Sequence, residues 1–199
     1  CSLKAPVFRP GHSINFIVAD NPATYQQFCN LYLSENKHMA RFKQTFQVDA
    51  PLSAVWKMHD DPKALVELTP PPVHVTILSM DRPLRKGAEL KFRLSVGPLG
   101  ATWHAVYDEF NPYQAGDTVC NFVDRSLSSP FAFWTHRHTF NYIGGGKSTV
   151  TDDATFRLIN GPFSAIVTAF AWPPIAFMFL YRRMATRRML AQMQAQRAT

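Results

Sequence analysis

Polar and apolar positions alternate most clearly in residues 148–156, "STVTDDATF", the period of a strand with one buried face. Similar runs over about 73–80, 88–97, 101–110, 117–126, 132–143 and 147–158 predict a succession of strands. Their turns are marked by "RKG", "GPLG", "YQAGD" and "IGGGK". Before them, Phe42, Thr45, Phe46 and Val48 suit a first strand. Pro51 then opens a short helix through Trp56 and His59, and Asp61-Pro62 caps a second that runs to Leu68. "TPPP" at 69–72 stops it, because each proline biases its predecessor away from the helical region. A long helical segment over about 163–195, bent at Pro173-Pro174, closes the chain.

Residues 1–20 have no clear period and carry Pro6, Pro10 and Gly11, whereas Asp20, Asn21 and Pro22 start a helix with Tyr25, Phe28, Cys29 and Tyr32 on one face. This gives an N-terminal arm, 1–40, and a domain, 41–199, with a basic helical end. One strand, two short helices, a run of antiparallel strands and a long helix make an α+β domain. A curved sheet crossed by one helix cannot fill its concave side with strand side chains alone. The pattern therefore predicts a cavity between sheet and helix, of the kind that takes small ligands.

Composition sharpens this picture. Sixteen Phe, four Trp and 46% hydrophobic residues exclude a disordered chain and suit a large core or an aromatic-lined cavity. The net charge of +7 gathers at one end, where Arg182, Arg183, Arg187, Arg188 and Arg197 follow Tyr181 without an acidic residue. Such a tail points to an anionic surface or is a solvated helix face. It carries no interleaved aromatic platform, so no nucleic-acid partner is expected. Residues 161–181 are uncharged and long enough to cross a bilayer, but Pro173-Pro174 favour a buried or ligand-covering helix.

Three cysteines without a CxxC, and the lack of any N-x-S/T sequon, argue against a disulfide framework. A cytoplasmic or organellar interior, mitochondrial or plastid, is favoured over secretion. The start at Cys1 is consistent with a removed transit peptide or a lipid-modified cysteine.

"FQVDAPLSAVW", "LTPPPVHV", "FVDRSLSSPFAFWTHRHTF" (122–140), "GGKSTVTDDATFRL" (145–158) and "FLYRR" (179–183) together resemble the SRPBCC, or START-like helix-grip, superfamily. The branch resembled has F-x-D, then P-F-x-x-W-x-H-x-H-x-F, then G-G-(T/S)-x-x-x-D-x-x-x-(Y/F). Ser129 and Ser148 depart mildly from its usual Gly and Thr, and the arm, 1–40, falls outside it. The resemblance implies a curved antiparallel sheet wrapped around a long C-terminal helix, with two short helices after the first strand. It spans lipid and sterol carriers, coenzyme-Q-binding proteins, plant hormone receptors and polyketide cyclases, so fold alone selects no activity.

Strand alternation places Trp134, His136, His138 and Phe140 on one face. Phe122 and Asp124 share a face of the preceding strand, and Ser148, Asp152 and Phe156 a face of the next. If these positions face the cavity, the wall is aromatic with a polar band of Asp124, His136, His138 and Asp152, and Trp103 joins from a neighbouring strand. A metal needs a third ligand beside His136 and His138, for which Asp124, Asp152 and His104 are candidates; no further His stands at metal-ligand spacing. Neither metal nor cofactor is expected.

The leading expectation is a protein that binds or carries a lipid, isoprenoid quinone or polyketide-like molecule between sheet and helix. One alternative is a cyclase or dehydratase in which His136 or His138, oriented by Asp124, moves protons. Another is an accessory subunit of a larger, membrane-associated complex. Apolar Phe163, Ile166, Val167, Phe170, Trp172, Ile175, Phe177 and Phe179 exceed one narrow core stripe, so a peripheral membrane or protein-complex contact through this Arg-rich helix is expected. "GGGKST" lacks the first glycine of a phosphate-binding loop and precedes a strand, so it is set aside.

Overall fold

The computed structural model describes the backbone of residues 4–7, 15–18, 39–61 and 63–198, and side chains over 39–61 and 63–196. Two compact units emerge, Cys1–Met39 and Ala40–Thr199. In the first, β1 (Lys4–Val7) pairs antiparallel with β2 (Asn15–Val18), from Lys4 opposite Val18 to Val7 opposite Asn15. Strands this short show no period, which is why the sequence reads as an arm there. The helix expected over 20–38, with Cys29, lies outside the described residues.

The second unit opens with β3 (Ala40–Val48), α1 (Leu52–Asp60) and α2 (Lys63–Glu67). Next come β4 (His74–Met80), β5 (Glu89–Val96), β6 (Leu99–Asn111), β7 (Val119–Ser128), β8 (Phe133–Gly144) and β9 (Lys147–Arg157), and then α3 (Ser164–Ala198). The strands form one seven-stranded antiparallel sheet in the order β3-β9-β8-β7-β6-β5-β4. The first strand thus pairs with the last, while the other neighbours are consecutive hairpins. Register shifts at Ile77/Ser79, His104/Ala105 and Tyr107/Glu109 insert bulges that bend the sheet.

Local chemistry accounts for these elements. β9 alternates without a break, with Ser148, Val150, Asp152, Ala154 and Phe156 buried and the residues between them partly exposed. Gly144, Gly145 and Gly146 close the β8–β9 turn at φ of 91, 59 and 71°. A Cβ there would meet nothing within 4 Å, so backbone conformation rather than space calls for glycine. Asp61 starts α2 by accepting the Lys63 N–H at 2.9 Å.

α3 runs as one helix through Pro173 and Pro174. Their missing donors free the carbonyls of Ala169 and Phe170, both exposed residues that water can reach. Its inner face is mostly small or slender, with Ser164, Thr168, Ala171, Ile175, Ala185 and Thr186 buried beside the larger Phe179 and Leu190. That face packs chiefly on β3 and β9, and on α1.

The core has two parts. One gathers Phe46, Val48, Val55, Met58, Phe122, Phe140, Val150 and Leu190 under α1 and the C-terminal half of α3. The other gathers Phe92, Trp103, Trp134, Phe156, Ile175 and Phe179 toward the other end of the sheet. On β8 the two meet at His136 and His138, which separate Trp134 from Phe140.

Candidate functional site

The central feature is a polar layer between the two apolar clusters. His136 and His138 project inward from the middle of β8, and each is only 3% exposed. Register sets their neighbours: Asp124 of β7 lies opposite His136, and Asp152 of β9 lies opposite His138. The two rings stand 3.8 Å apart between centroids, tilted by 48°. Each ring reaches toward both carboxylates. Asp152 Oδ1 is 3.3 Å from His136 Nε2 and 3.2 Å from His138 Nδ1, while Asp124 Oδ2 is 3.7 Å from His136 Nδ1 and 3.6 Å from His138 Nε2.

The Asp152 side is tighter. His136 Nε2 makes a hydrogen bond to Asp152 Oδ1, whereas His138 Nδ1 is buried without a well-aligned partner despite its proximity. Gln44 of β3, opposite Asp152 in the ladder, donates its amide nitrogen to Asp152 Oδ2 at 3.1 Å and to the Phe179 carbonyl at 2.8 Å. Both partners are acceptors, which fixes the orientation of the amide.

Burial disfavours charge on both rings, and the carboxylates decide between them. For His136, desolvation and the neighbouring His138 outweigh the Asp152 bond and push the pKa down to about 4. For His138, desolvation is overcome by Asp124 and Asp152, and its pKa stands above the ordinary histidine value. Burial also opposes ionisation of both carboxylates. The rings overcome this, holding Asp124 below its usual range and Asp152 well below it. Across the β6–β7 ladder Tyr107 faces Asp124, and burial, then that carboxylate, raise its phenol pKa.

Aromatic groups enclose the band. Phe122 stacks on His138 at 4.3 Å, and Phe179 of α3 meets His136 edge-on at 5.0 Å. His59 of α1 lies 4.4 Å from Phe140 and 5.8 Å from His138, with Nδ1 at 2.9 Å from the Val55 carbonyl. Beyond the band, Trp103 meets Trp134 in a T at 5.2 Å and stacks on Phe92 at 5.8 Å. Half-buried Val75, Leu90, Leu94, Phe131 and Met178 surround this aromatic floor. α3 packs mainly on β3 and β9; on the inner face of β4–β6, Phe92, Trp103 and Ala105 are buried while Val75, Leu90 and Leu94 stay half-buried.

The residues named from the sequence fall into three groups. Asp124, His136, His138 and Asp152 come together in the polar layer. Trp103, Phe122 and Trp134 flank it, while Phe140 and Phe156 are fully enclosed in the two clusters. Ser148 stands apart: it is four positions along β9 from Asp152, and its hydroxyl donates to the Ala50 carbonyl at 2.9 Å. His104 is likewise separate, 2.7 Å from Glu89 Oε2. Gln44, Tyr107 and His59 do not stand out in the sequence as site residues, whereas Phe179, one of the apolar residues of the closing helix, faces the band. Gln44 carried a signal, as a polar residue on the strand face that also presents Phe42, Phe46 and Val48. A groove of about 470 Å³ lined by Gln47, Val48, Asp49, Arg187, Leu190, Ala191 and Gln194 opens on the outer end of β3, away from the polar layer.

Similar solved structures decide the fold. A START superfamily protein from Mycobacterium smegmatis aligns with a TM-score of 0.50 and 13% identity, over 77% of this chain and 98% of its own. The ZhuI aromatase/cyclase from a Streptomyces species gives 0.51 and 16%, over 76% and 96%. A protein from Arthrobacter aurescens gives 0.56 and 12%, over 76% and 86%. The chain has the START-like helix-grip fold. No protein-family profile matches it, and neither does any curated protein. At these identities the helix-grip likeness establishes architecture, and chemistry must be argued from the site.

Proposed function

We propose that this protein binds a hydrophobic small molecule, of the lipid, isoprenoid-quinone or polyketide-like class, against the inner face of β4–β6. The observation that carries this reading is a half-covered apolar wall that ends on a buried charged layer. Trp103, Trp134 and Phe92 form its buried aromatic floor, and the half-buried Leu90, Leu94 and Phe131 above it have surface still to lose. Asp124, His136, His138 and Asp152 stand at the end of that wall, where a ligand's polar head can be hydrogen-bonded. START-like and aromatase/cyclase proteins with this architecture are in keeping with the reading.

The test is a titration of the full chain with N-phenyl-1-naphthylamine, a dye that brightens in apolar sites, followed by displacement with long-chain lipids and quinones. Saturable, displaceable binding that drops at least tenfold in Leu94→Arg is expected. Equal affinity in a folded Leu94→Arg variant removes the wall from the account.

A proton-transfer enzyme is the second reading, supported by the opposed proton affinities of adjacent His136 and His138. Turnover of a polyketide-like substrate, abolished by His138→Ala, distinguishes it from a carrier, whose ligand affinity only weakens.

The same reading includes loading at an anionic lipid surface. Phe163, Phe170 and Phe177, 68, 77 and 60% exposed, recur at every seventh position on α3, with exposed Ile166, Leu180 and Met184 in line between and beyond them. Exposed Arg188 follows on the same side, and no acidic residue occurs after Asp153. The opposite face of the helix is packed on the sheet, so the arrangement favours lying along a bilayer over crossing it.

A further inference from the structure

We propose that His136, His138 and Asp124 form a binding site for one divalent first-row transition-metal ion of the zinc class, with Asp152 as the group that orients both imidazoles. His136 Nδ1, His138 Nε2 and an Asp124 carboxylate oxygen all lie within 4.8 Å of one another.

The two carboxylates sit differently, and that asymmetry is the main argument. Asp152 Oδ1 is 3.3 Å from one nitrogen of His136 and 3.2 Å from one of His138, close to hydrogen-bond length. Asp124 Oδ2 is 3.7 and 3.6 Å from the other nitrogen of each ring, beyond that length. Bonds of about 2.0–2.2 Å from a tetrahedral ion place neighbouring donor atoms about 3.4 Å apart. The two nitrogen-to-carboxylate distances on the Asp124 side therefore suit an ion between the donors, with the two nitrogens within 4.8 Å of each other, and the Asp152 side suits protons.

Protonation follows from the same contacts. With the ring protons on His136 Nε2 and His138 Nδ1, both facing Asp152, the remaining lone pairs point at the Asp124 carboxylate. Three electron-rich atoms then converge in a low-dielectric layer, which is unfavourable unless cations intervene. One divalent ion placed among the three atoms supplies that positive charge.

The outer arrangement matches what metal-bound histidines require. Such a ring nearly always gives its second N–H to a carboxylate or carbonyl, which fixes tautomer and orientation. Here Asp152 Oδ1 bonds His136 Nε2 and lies 3.2 Å from His138 Nδ1, and Gln44 holds its other oxygen at 3.1 Å. Two imidazoles and one carboxylate select zinc, iron or cobalt over calcium or magnesium, which prefer all-oxygen sites. Three protein ligands leave a position open. The Asp124 side chain is 22% exposed, which marks the side on which that position opens. If the wall beside the site holds a lipophile, as proposed above, that position takes an oxygen of its polar head; this last step rests on that reading, whereas metal binding does not.

The experiment uses the tag-free full chain, stripped with dipicolinate and titrated with Zn2+ and Co2+. The expected result is one equivalent bound and a cobalt spectrum of four- or five-coordinate intensity. Ring-nitrogen NMR shifts should be confined to His136 Nδ1 and His138 Nε2. Asp124→Asn should lower affinity at least about 100-fold, and Asp152→Asn about 10–100-fold, the range typical of orienting groups. Wild-type protein that binds no metal, or ring signals unmoved by zinc, overturns the site, and neither result depends on a variant folding. Lipophile binding that persists in metal-free protein removes only the contact between ion and ligand head. Metal binding without any lipophile leaves the site standing and removes the pocket.

Discussion

Gln44 joins the closing helix to the buried charges: one amide nitrogen bonds Asp152 Oδ2 at 3.1 Å and the Phe179 carbonyl at 2.8 Å. A single side chain on the first strand of the domain therefore couples the position of α3 to the His/Asp layer. Gln44→Leu keeps most of the volume but leaves Asp152 Oδ2 without that donor. The expected cost is about 1–3 kcal/mol in urea unfolding, as for a buried charged acceptor that loses its partner. A change no larger than that of an ordinary surface substitution removes Gln44 from this role.

Asp152 is the nearer carboxylate of His138 and, after Asp124, part of what raises that ring's pKa. Asp152→Asn retains the shape and removes the charge. The His138 pKa, read from ring-nitrogen NMR of metal-free protein, should fall from above the ordinary histidine value to below it. No movement would mean that Asp124 alone holds the proton.

His59 gives a prediction of opposite sign. Its pKa is pushed down to about 3 by burial, then by His138, against the Val55 carbonyl and Asp152, with Arg182 also lowering it. A histidine depressed in the fold takes up its proton more readily when unfolded. Its stabilising effect is complete above about pH 6.5 and is lost as pH falls toward the folded value, at up to about 1.4 kcal/mol per pH unit. His59→Phe should flatten the acid side of the stability profile. A profile as steep as that of the wild type contradicts the assignment.

The outer stripe of α3 tests independently of the interior. Phe170 is 77% and Phe177 60% exposed. Replacing them, as Phe170→Asp and Phe177→Asp, should therefore change unfolding free energies by under about 0.5 kcal/mol. Co-sedimentation with phosphatidylglycerol-rich vesicles should fall at least tenfold. Neutral phosphatidylcholine vesicles should bind the wild type weakly, since the arginines lack their counter-charge. If the protein instead self-associates through this face, and the Asp variants abolish that, the partner is a second copy and the lipid surface is wrong.

Much of the fold was legible because the signals were periodic. Ser148–Phe156 alternates in burial along β9 as it alternates in sequence, and the same rule brought Asp124, His136, His138 and Asp152 to one layer. Ser148 obeys that alternation yet binds Ala50 instead, because facing inward does not fix height along a strand. Tyr107 and His59 were not legible as neighbours of the charges: one depends on the β6–β7 register with its bulges, the other on how α1 lies over β8. The hairpin of β1 and β2 left no period to find.

The most direct test of the central claim is native mass spectrometry of the full chain purified gently from its source. The account predicts one apolar molecule per chain, retained in the wild type and absent from a folded Leu94→Arg variant. A wild-type chain that carries no such molecule, and takes none from a lipid extract, would contradict it.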